Sequence, residues 1–215
     1  MKSLLQNISS NLAETLGKRG NKRVFTDGEE IFAEGDAAVF LPIILTGRVK
    51  MVQFPEVGKE VIIGIFGDGE MFAVPPVFDG KKYPSTAIAM ERTELLLLKR
   101  PAFLELIRES DEFAFAVIGW MCGMLREKTA TIQNLAVASP EHRVGHVLLK
   151  LAMREDGEMP VKIALRRQDM AKMAGLTTET TIRAVRRLAE KGLIRIDHGK
   201  VMIDSTGPLS GYLAS

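Results

Sequence analysis

Glycine-bearing turn signals break the segment from Arg23 to Lys99 so often that only short strands fit between them. They fall at Thr26-Asp27-Gly28, Glu34-Gly35-Asp36, Thr46-Gly47, Val57-Gly58-Lys59, Gly67-Asp68-Gly69 and Asp79-Gly80. Gly supplies positive φ in such turns, and Asp bonds its own backbone. Between them lie apolar runs at Val24-Phe25, Ile31-Phe32, Phe40–Leu45, Val49–Phe54, Glu60–Phe66, Ala87–Met90 and Leu95–Leu98. Short, evenly spaced strands of this kind close into an antiparallel sandwich or barrel. The expected fold class is therefore α+β, with an N-terminal antiparallel β-barrel of jelly-roll type followed by helices.

The pattern changes after Lys99. Pro101 suits the first turn of a short helix over Ala102–Arg108. Ser110-Asp111 is a good N-cap for a longer one. From Phe113 to Ala138 there is no Pro and two internal glycines, Gly119 and Gly123. Apolar residues at Ile118, Met121, Leu125, Ile132 and Leu135 follow a three-to-four spacing that only Lys128 interrupts. A seam of this length, ~38 Å at 1.5 Å per residue, suits helix-on-helix packing in a homodimer. The alternative is a helix packed on its own barrel. Cys122 on this helix reads as a buried, inert thiol, a redox switch being the alternative. Ser139-Pro140 ends the helix and starts another, which runs to about Met153. The expected organisation is a sensor domain over 1–110, a dimerisation helix and hinge over 111–139, and a C-terminal domain over 140–215. A loop from Arg154 to Pro160 and a strand at Val161–Ile163 lead into that domain's central motif.

The segment Arg167–Leu188 reads as a helix-turn-helix. Met170, Ala171 and Ala174 give the first helix a small apolar face, and Ala171 lets a second helix approach. Gly175 can take the left-handed conformation that ends a helix. Leu176 plugs the turn, and Thr177 is a plausible N-cap. Ile182, Val185 and Leu188 form the expected buried stripe, which leaves Thr178, Glu179, Arg183, Arg186 and Arg187 outside it. Glu179 and Arg183 lie one turn apart. In a major groove, Arg bonds guanine O6 and N7 in bidentate fashion and Glu accepts from cytosine N4. The plainer reading of the pair is an (i, i+4) ion pair of about 0.2–0.5 kcal/mol. Gly192–Ile203 alternates and turns at His198-Gly199, a β-hairpin that makes the domain a winged helix.

Charge distribution agrees with a polyanionic partner. Lys162–Lys200 carries ten Lys/Arg against four Asp/Glu, a surplus of six positive charges on a chain whose net charge is +2. A solvated basic helix face is the alternative from charge alone. The single cysteine excludes an internal disulfide and an iron–sulfur site built from several cysteines. No apolar run is long enough to span a membrane and no secretion signal opens the chain, so a cytoplasmic location is expected. His142 and His146, at i and i+4, are an incomplete metal site. No catalytic constellation is visible, and neither enzymatic activity nor a metal or cofactor is expected.

In this order, barrel, long helix, Pro-marked hinge and winged helix resemble the Crp–Fnr family of bacterial transcription regulators. The resemblance spans about Leu16 to Ile203. It is carried most strongly by Arg167-Gln168-Asp169, by Gly175-Leu176-Thr177-x-Glu179-Thr180-x-x-Arg183, and by Asn134-Leu135-Ala136. It implies a homodimer on double-stranded DNA, working with RNA polymerase. Glu179 and Arg183 would read base edges of a TGA-type half-site with Thr178 as a tuning position. Arg167, Gln168, Thr177, Thr180 and Arg186 would touch phosphates. The dimer interface would comprise Ile118, Met121, Leu125, Lys128, Ile132 and Leu135.

The same resemblance argues against one effector. The phosphate cassette of the family's cyclic-nucleotide receptors aligns with Gly69–Phe78. Its ribose-binding Glu becomes Val74, the Arg before Ser85 becomes Pro84, and Pro75 and Pro76 remove two amide donors. Glu70 is out of register. The adjacent hydroxyl pair that meets adenine becomes Lys128-Thr129. Cyclic AMP binding is not expected. An apolar interior, with Phe54, Phe66, Phe72, Val74, Val77, Phe78 and Met90 as candidates, is either filled or holds a small-molecule effector. Such an effector would meet Phe72, Val74, Val77, Met90, Lys128 and Thr129. The alternatives are a cyclic-nucleotide-responsive regulator, or a regulatory signalling subunit built on the same barrel.

Overall fold

The computed structural model describes the backbone of residues 8–56, 59–137, 139–153 and 159–214, and the side chains of the same residues except 56, 59 and 130–137. The expected turn at Val57-Gly58, most of the loop from Arg154 to Pro160, and the side chains of Ile132, Asn134, Leu135 and Ala136 lie outside the described residues. The chain divides into two compact units, Met1–Arg126 and Glu127–Ser215.

In the first unit, helix α1 (Ser10–Arg19) precedes the strands β1 (Asn21–Phe25), β2 (Glu30–Phe32), β3 (Phe40–Thr46), β4 (Val49–Glu56) and β5 (Lys59–Phe66). Helix α2 (Val74–Asp79), strands β6 (Thr86–Ala89) and β7 (Thr93–Lys99) and helix α3 (Arg100–Glu109) follow. The strands form two antiparallel sheets, ordered β1-β7-β3 and β2-β6-β4-β5. Leu41, Ile43, Leu95 and Leu98 from one sheet and Val49, Met51, Ala87 and Ala89 from the other join one buried core. The leucine, isoleucine, valine and methionine side chains among these each gain roughly 1.5–3 kcal/mol by leaving water. Strands β1, β2 and β3 end at turns whose glycines, Gly28, Gly35 and Gly47, have positive φ. At Gly47, with φ 98°, an added Cβ would also come within 2.8 Å of the Arg92 carbonyl oxygen.

Three helices have no counterpart in the sequence reading. Helix α1 buries only Leu12 and Leu16, one turn apart, and Ser9 caps it by accepting from Leu12 N–H. Two leucines are too sparse a stripe for periodicity to detect. Helix α2 starts with Pro75 and Pro76 in its first turn, where missing amides cost nothing. Helix α8 (Thr206–Leu213) ends the second unit.

Helix α4 (Asp111–Val137) contains the division between the units. Ser110 Oγ accepts from Phe113 N–H at 3.2 Å, which closes its N-terminus. Phe113, Val117 and Trp120 are buried in the barrel core, and Met121 and Met124 pack partly against it. The second unit holds α5 (Pro140–Ala152), β8 (Val161–Ile163), α6 (Arg167–Ala174), α7 (Thr178–Glu190), β9 (Arg195–Asp197) and β10 (Lys200–Ile203). Its small sheet is ordered β8-β10-β9. Helix α8 lies against α5 where Gly145 leaves room, since a Cβ there would meet Leu213 at 2.8 Å.

Candidate nucleic-acid interface

Helix α6 buries Met170, Ala171 and Ala174. It ends at Gly175 in the left-handed conformation, φ 60° and ψ 41°. A non-glycine residue there would cost about 1–2 kcal/mol. The Leu176 amide returns to the Ala171 carbonyl at 2.9 Å, so the chain reverses tightly into α7. Thr177 caps α7: its Oγ1 accepts from Thr180 N–H at 3.2 Å and donates to Thr180 Oγ1 at 2.9 Å. A cap of this type stabilises a helix by about 1 kcal/mol.

Helix α7 buries Thr181, Ala184, Val185 and Leu188. This corrects the expected stripe: Thr181 and Ala184 replace Ile182, which is only half-buried. The reason is geometric, because an i, i+3, i+4, i+7 pattern centres on Ala184–Val185, and small residues there let α7 approach its neighbours. Opposite this stripe, Glu179, Arg183 and Arg186 are exposed and Thr178 is half-buried. Arg183 Nη2 reaches Thr180 Oγ1 at 3.4 Å, a weak contact that leaves its donors turned toward solvent.

The hairpin β9–β10 turns at His198 and Gly199 with φ 45° and 76°, the two positive values of a type I′ turn. Arg167 Nη2 donates to the Gly199 carbonyl at 3.1 Å. Arg167 thus holds the wing tip while half-buried, and burial lowers its pKa from the ordinary arginine value. Gln168 is exposed beside it.

Two side chains carry more than the sequence indicated. Arg187 extends from α7 to Glu141 in the first turn of α5, with Nη1 2.5 Å from Oε1. This contact and the positive end of α5 hold the Glu141 carboxyl below its usual range, with Arg187 the largest cause. Arg143 Nη2 donates to the Gly175 carbonyl at 2.9 Å, tying α5 to the turn before α7. The signal for Glu141 was a carboxylate at a helix start, which its own helix already explains.

In the first unit, Phe72, Val74 and Val77 are fully buried in the core. Phe32 and Tyr83 stack with ring centroids 3.6 Å apart, and Phe72 lies 6.0 Å from Phe32. Burial pushes the Tyr83 phenol up to about 12, and its hydroxyl donates to the Phe40 carbonyl at 2.6 Å. Met90 is half-buried at the end of β6. Phe54 and Phe78, expected inside, are exposed. Phe54 sits near the end of β4, and Phe78 is on the outer side of α2, whose buried face is taken by Val74, Pro76 and Val77. Lys128 and Thr129 are exposed on α4. Cys122 is also exposed, contrary to its expected burial, because the buried face of α4 runs through Phe113, Val117 and Trp120 instead.

A helix-turn-helix with a wing, following a domain of two antiparallel sheets, defines a DNA-binding transcription regulator. The family model described as cyclic nucleotide-binding domain matches residues 22–110, and that described as Crp-like helix-turn-helix domain matches residues 142–209. The "Cyclic AMP receptor protein" of Thermus thermophilus is 30% identical over 85% of this chain and 83% of its own length. The "CRP-like cAMP-activated global transcriptional regulator" of Mycobacterium tuberculosis is 26% identical over 96% of this chain and 94% of its own. Among solved structures, FixK2 from Bradyrhizobium japonicum shares the fold with a TM-score of 0.80 at 21% identity, covering 89% of this chain and 96% of that one. The chain belongs to the Crp–Fnr family of transcription regulators. No described helix is long and apolar enough to cross a membrane.

Proposed function

We propose that this regulator binds a near-palindromic, TGA-type DNA site as a homodimer, with Glu179 and Arg183 reading base edges and Thr178 tuning the flanking position. The observation that carries this reading is the separation of faces on α7. Glu179, Arg183 and Arg186 point outward, while Arg187 is engaged with Glu141. Gln168, Thr177, Thr180 and Arg186 supply phosphate contacts around that face, and Arg167 does so while bracing the wing. The protein acts in the cytoplasm beside RNA polymerase and has no catalytic role.

The dimer reading is supported by an apolar stripe that the barrel leaves uncovered. Phe115, Ile118, Cys122 and Leu125 fall at i, i+3, i+7 and i+10 on α4, with Phe115 73% and Leu125 64% exposed. That spacing is the seam of a coiled coil. Lys128, Ile132 and Leu135 continue the proposed seam toward the hinge.

Cyclic AMP is not the effector in this reading. Val74 is core, Pro84 stands where a cation is needed, and Glu70 uses Oε2 to accept from Gly67 N–H at 2.8 Å. Arg100, which follows β7, donates to the Val77 and Phe78 carbonyls at 2.8 and 3.2 Å. A buried phosphate without paired donors is costly. The second reading, a cyclic-nucleotide-responsive regulator, is favoured by the names of the relatives from T. thermophilus and M. tuberculosis. Selecting duplexes from a random pool, with and without cyclic AMP, tests both. Recovery of a TGA-type near-palindrome independent of cyclic AMP is expected. Recovery only with the nucleotide establishes the second reading, and recovery of no preferred sequence refutes both.

A further inference from the structure

Successive residues in the first turn of α5 each hold a different part of the DNA head. Glu141 Oε1 accepts from Arg187 on α7 at 2.5 Å. The His142 ring stacks on Tyr212 of α8 with centroids 4.8 Å apart. Arg143 donates to the Gly175 carbonyl, immediately before α7, at 2.9 Å. The recognition helix is therefore tied to α5 near both of its ends, through residues two apart on one turn.

The packing face of α7 explains why such ties matter. Thr181, Ala184 and Val185 are small, and Thr181 Oγ1 is buried without a hydrogen-bond partner. Small residues let helices come close but offer few knobs to resist rotation or sliding. A charge-assisted hydrogen bond is directional and short. The Glu141 side chain is 12% exposed against 63% for Arg187, so the carboxylate is the fixed end and the arginine the adjustable one.

We propose that Glu141 is a positioning residue for sequence reading, setting through Arg187 the rotation and axial position of α7 that aims Glu179 and Arg183 at base edges. The proposal rests on the assignment of those two residues as base readers. Glu141 itself touches no DNA. Its effect is on discrimination, because a displaced α7 keeps its charge near phosphates while losing the geometry of bidentate base contacts.

The test uses the full-length protein, the duplex recovered by selection, and a scrambled duplex, with fluorescence anisotropy across a salt series. Glu141→Gln keeps the volume and removes the charge. It should lower the ratio of specific to scrambled affinity about tenfold, with scrambled affinity and salt slope unchanged. Arg187→Met should give the same loss, and the double variant no more than either alone. Glu141→Asp, which restores the charge, should recover part of the ratio. Thermal melts of each variant identify any that fail to fold, and Glu141→Asp and Arg187→Met then carry the comparison. An unchanged ratio in folded Glu141→Gln overturns the proposal. So does an Arg187→Met variant that loses affinity for both duplexes and lowers the salt slope by about one, since Arg187 is then a phosphate contact. If Arg183→Ala leaves discrimination intact, the base-reading assignment fails, and the positioning role falls with it.

Discussion

Arg183 and Arg187 sit one turn apart on the same helix, yet their surroundings give them different work. Arg183 keeps its donors toward solvent, with one 3.4 Å contact to Thr180, whereas Arg187 is bound 2.5 Å from Glu141. Arg183→Ala should therefore cost roughly 1–3 kcal/mol at one guanine position and relax discrimination there, measured by competition among single-base variants of the site. Equal loss on all sequences would make it a phosphate contact. Two neighbouring titrations give the DNA head a staged response to acid. His146 has its pKa lowered from the ordinary histidine value of 6.5, by burial first and then by His142. A depressed folded pKa means that the unfolded chain takes the proton first, so this stability is present above pH 6.5 and lost as pH falls below it. Glu141 is also depressed, by Arg187 first, from 4.5, so its contribution is present above that pH and lost below it. Urea unfolding of His146→Leu should lack the first decline and keep the second, and Glu141→Gln the reverse. A His146→Leu variant with an unaltered profile near neutral pH would remove the histidine from this account.

At the scale of elements, α4 carries two apolar faces with separate partners. Phe113, Val117 and Trp120 belong to the barrel core, while Phe115, Ile118, Cys122 and Leu125 form the uncovered stripe. Leu125→Glu puts like charges across the proposed seam without touching the core face, and should convert the dimer to monomer in sedimentation while leaving the monomer's melting temperature within a few degrees. Val117→Ala should do the opposite, destabilising the barrel by roughly 0.5–3 kcal/mol at unchanged dimer affinity. An intact Leu125→Glu dimer would move the interface to another surface. The winged helix depends on the same division of faces. Gly175→Ala, at φ 60°, should cost about 1–2 kcal/mol of stability in denaturant unfolding, through strain in the turn that orients α7.

For the whole molecule, a ligand can control DNA binding only by as much as it prefers one state of the protein over another. The segment that aligns with the phosphate cassette is folded here into α2, with Val74 and Val77 in the core and the Arg100 guanidinium holding its final carbonyls. On the proposed reading, cyclic AMP finds no paired phosphate site among these described residues and so has no basis for preferring either state. Calorimetry with millimolar cyclic AMP should give no binding heat, and DNA affinity should not change. A submillimolar Kd would reverse the assignment and place this chain with its cyclic-nucleotide-responsive relatives. On DNA, the homodimer should protect two half-sites about one helical turn, ~34 Å, apart. Footprints over a single half-site would deny the dimer a role in recognition.

The local features of this fold were legible because their causes are local. Each turn glycine, the αL close at Gly175 and the Thr177 cap depend on a few adjacent residues, and the short strands follow from apolar runs between turns. Domain order together with the helix-turn-helix residues from Arg167 to Arg183 pointed to the family. The outward placement of Glu179 and Arg183 followed from helical period, although the buried stripe shifted from Ile182 to Thr181 and Ala184. What no local pattern contains is the partner of a side chain distant in sequence. Arg187 finds Glu141 46 residues away, and Arg143 finds Gly175 32 residues away. Phe54 and Phe78 lie outside the core and Leu12 and Leu16 inside it because packing, rather than hydrophobicity, allots a limited interior. Sequence determined where the helix-turn-helix lies and which residues of its second helix face outward; only the tertiary structure decided what holds that helix in place, since position is fixed by contacts between elements that the chain brings together after they form.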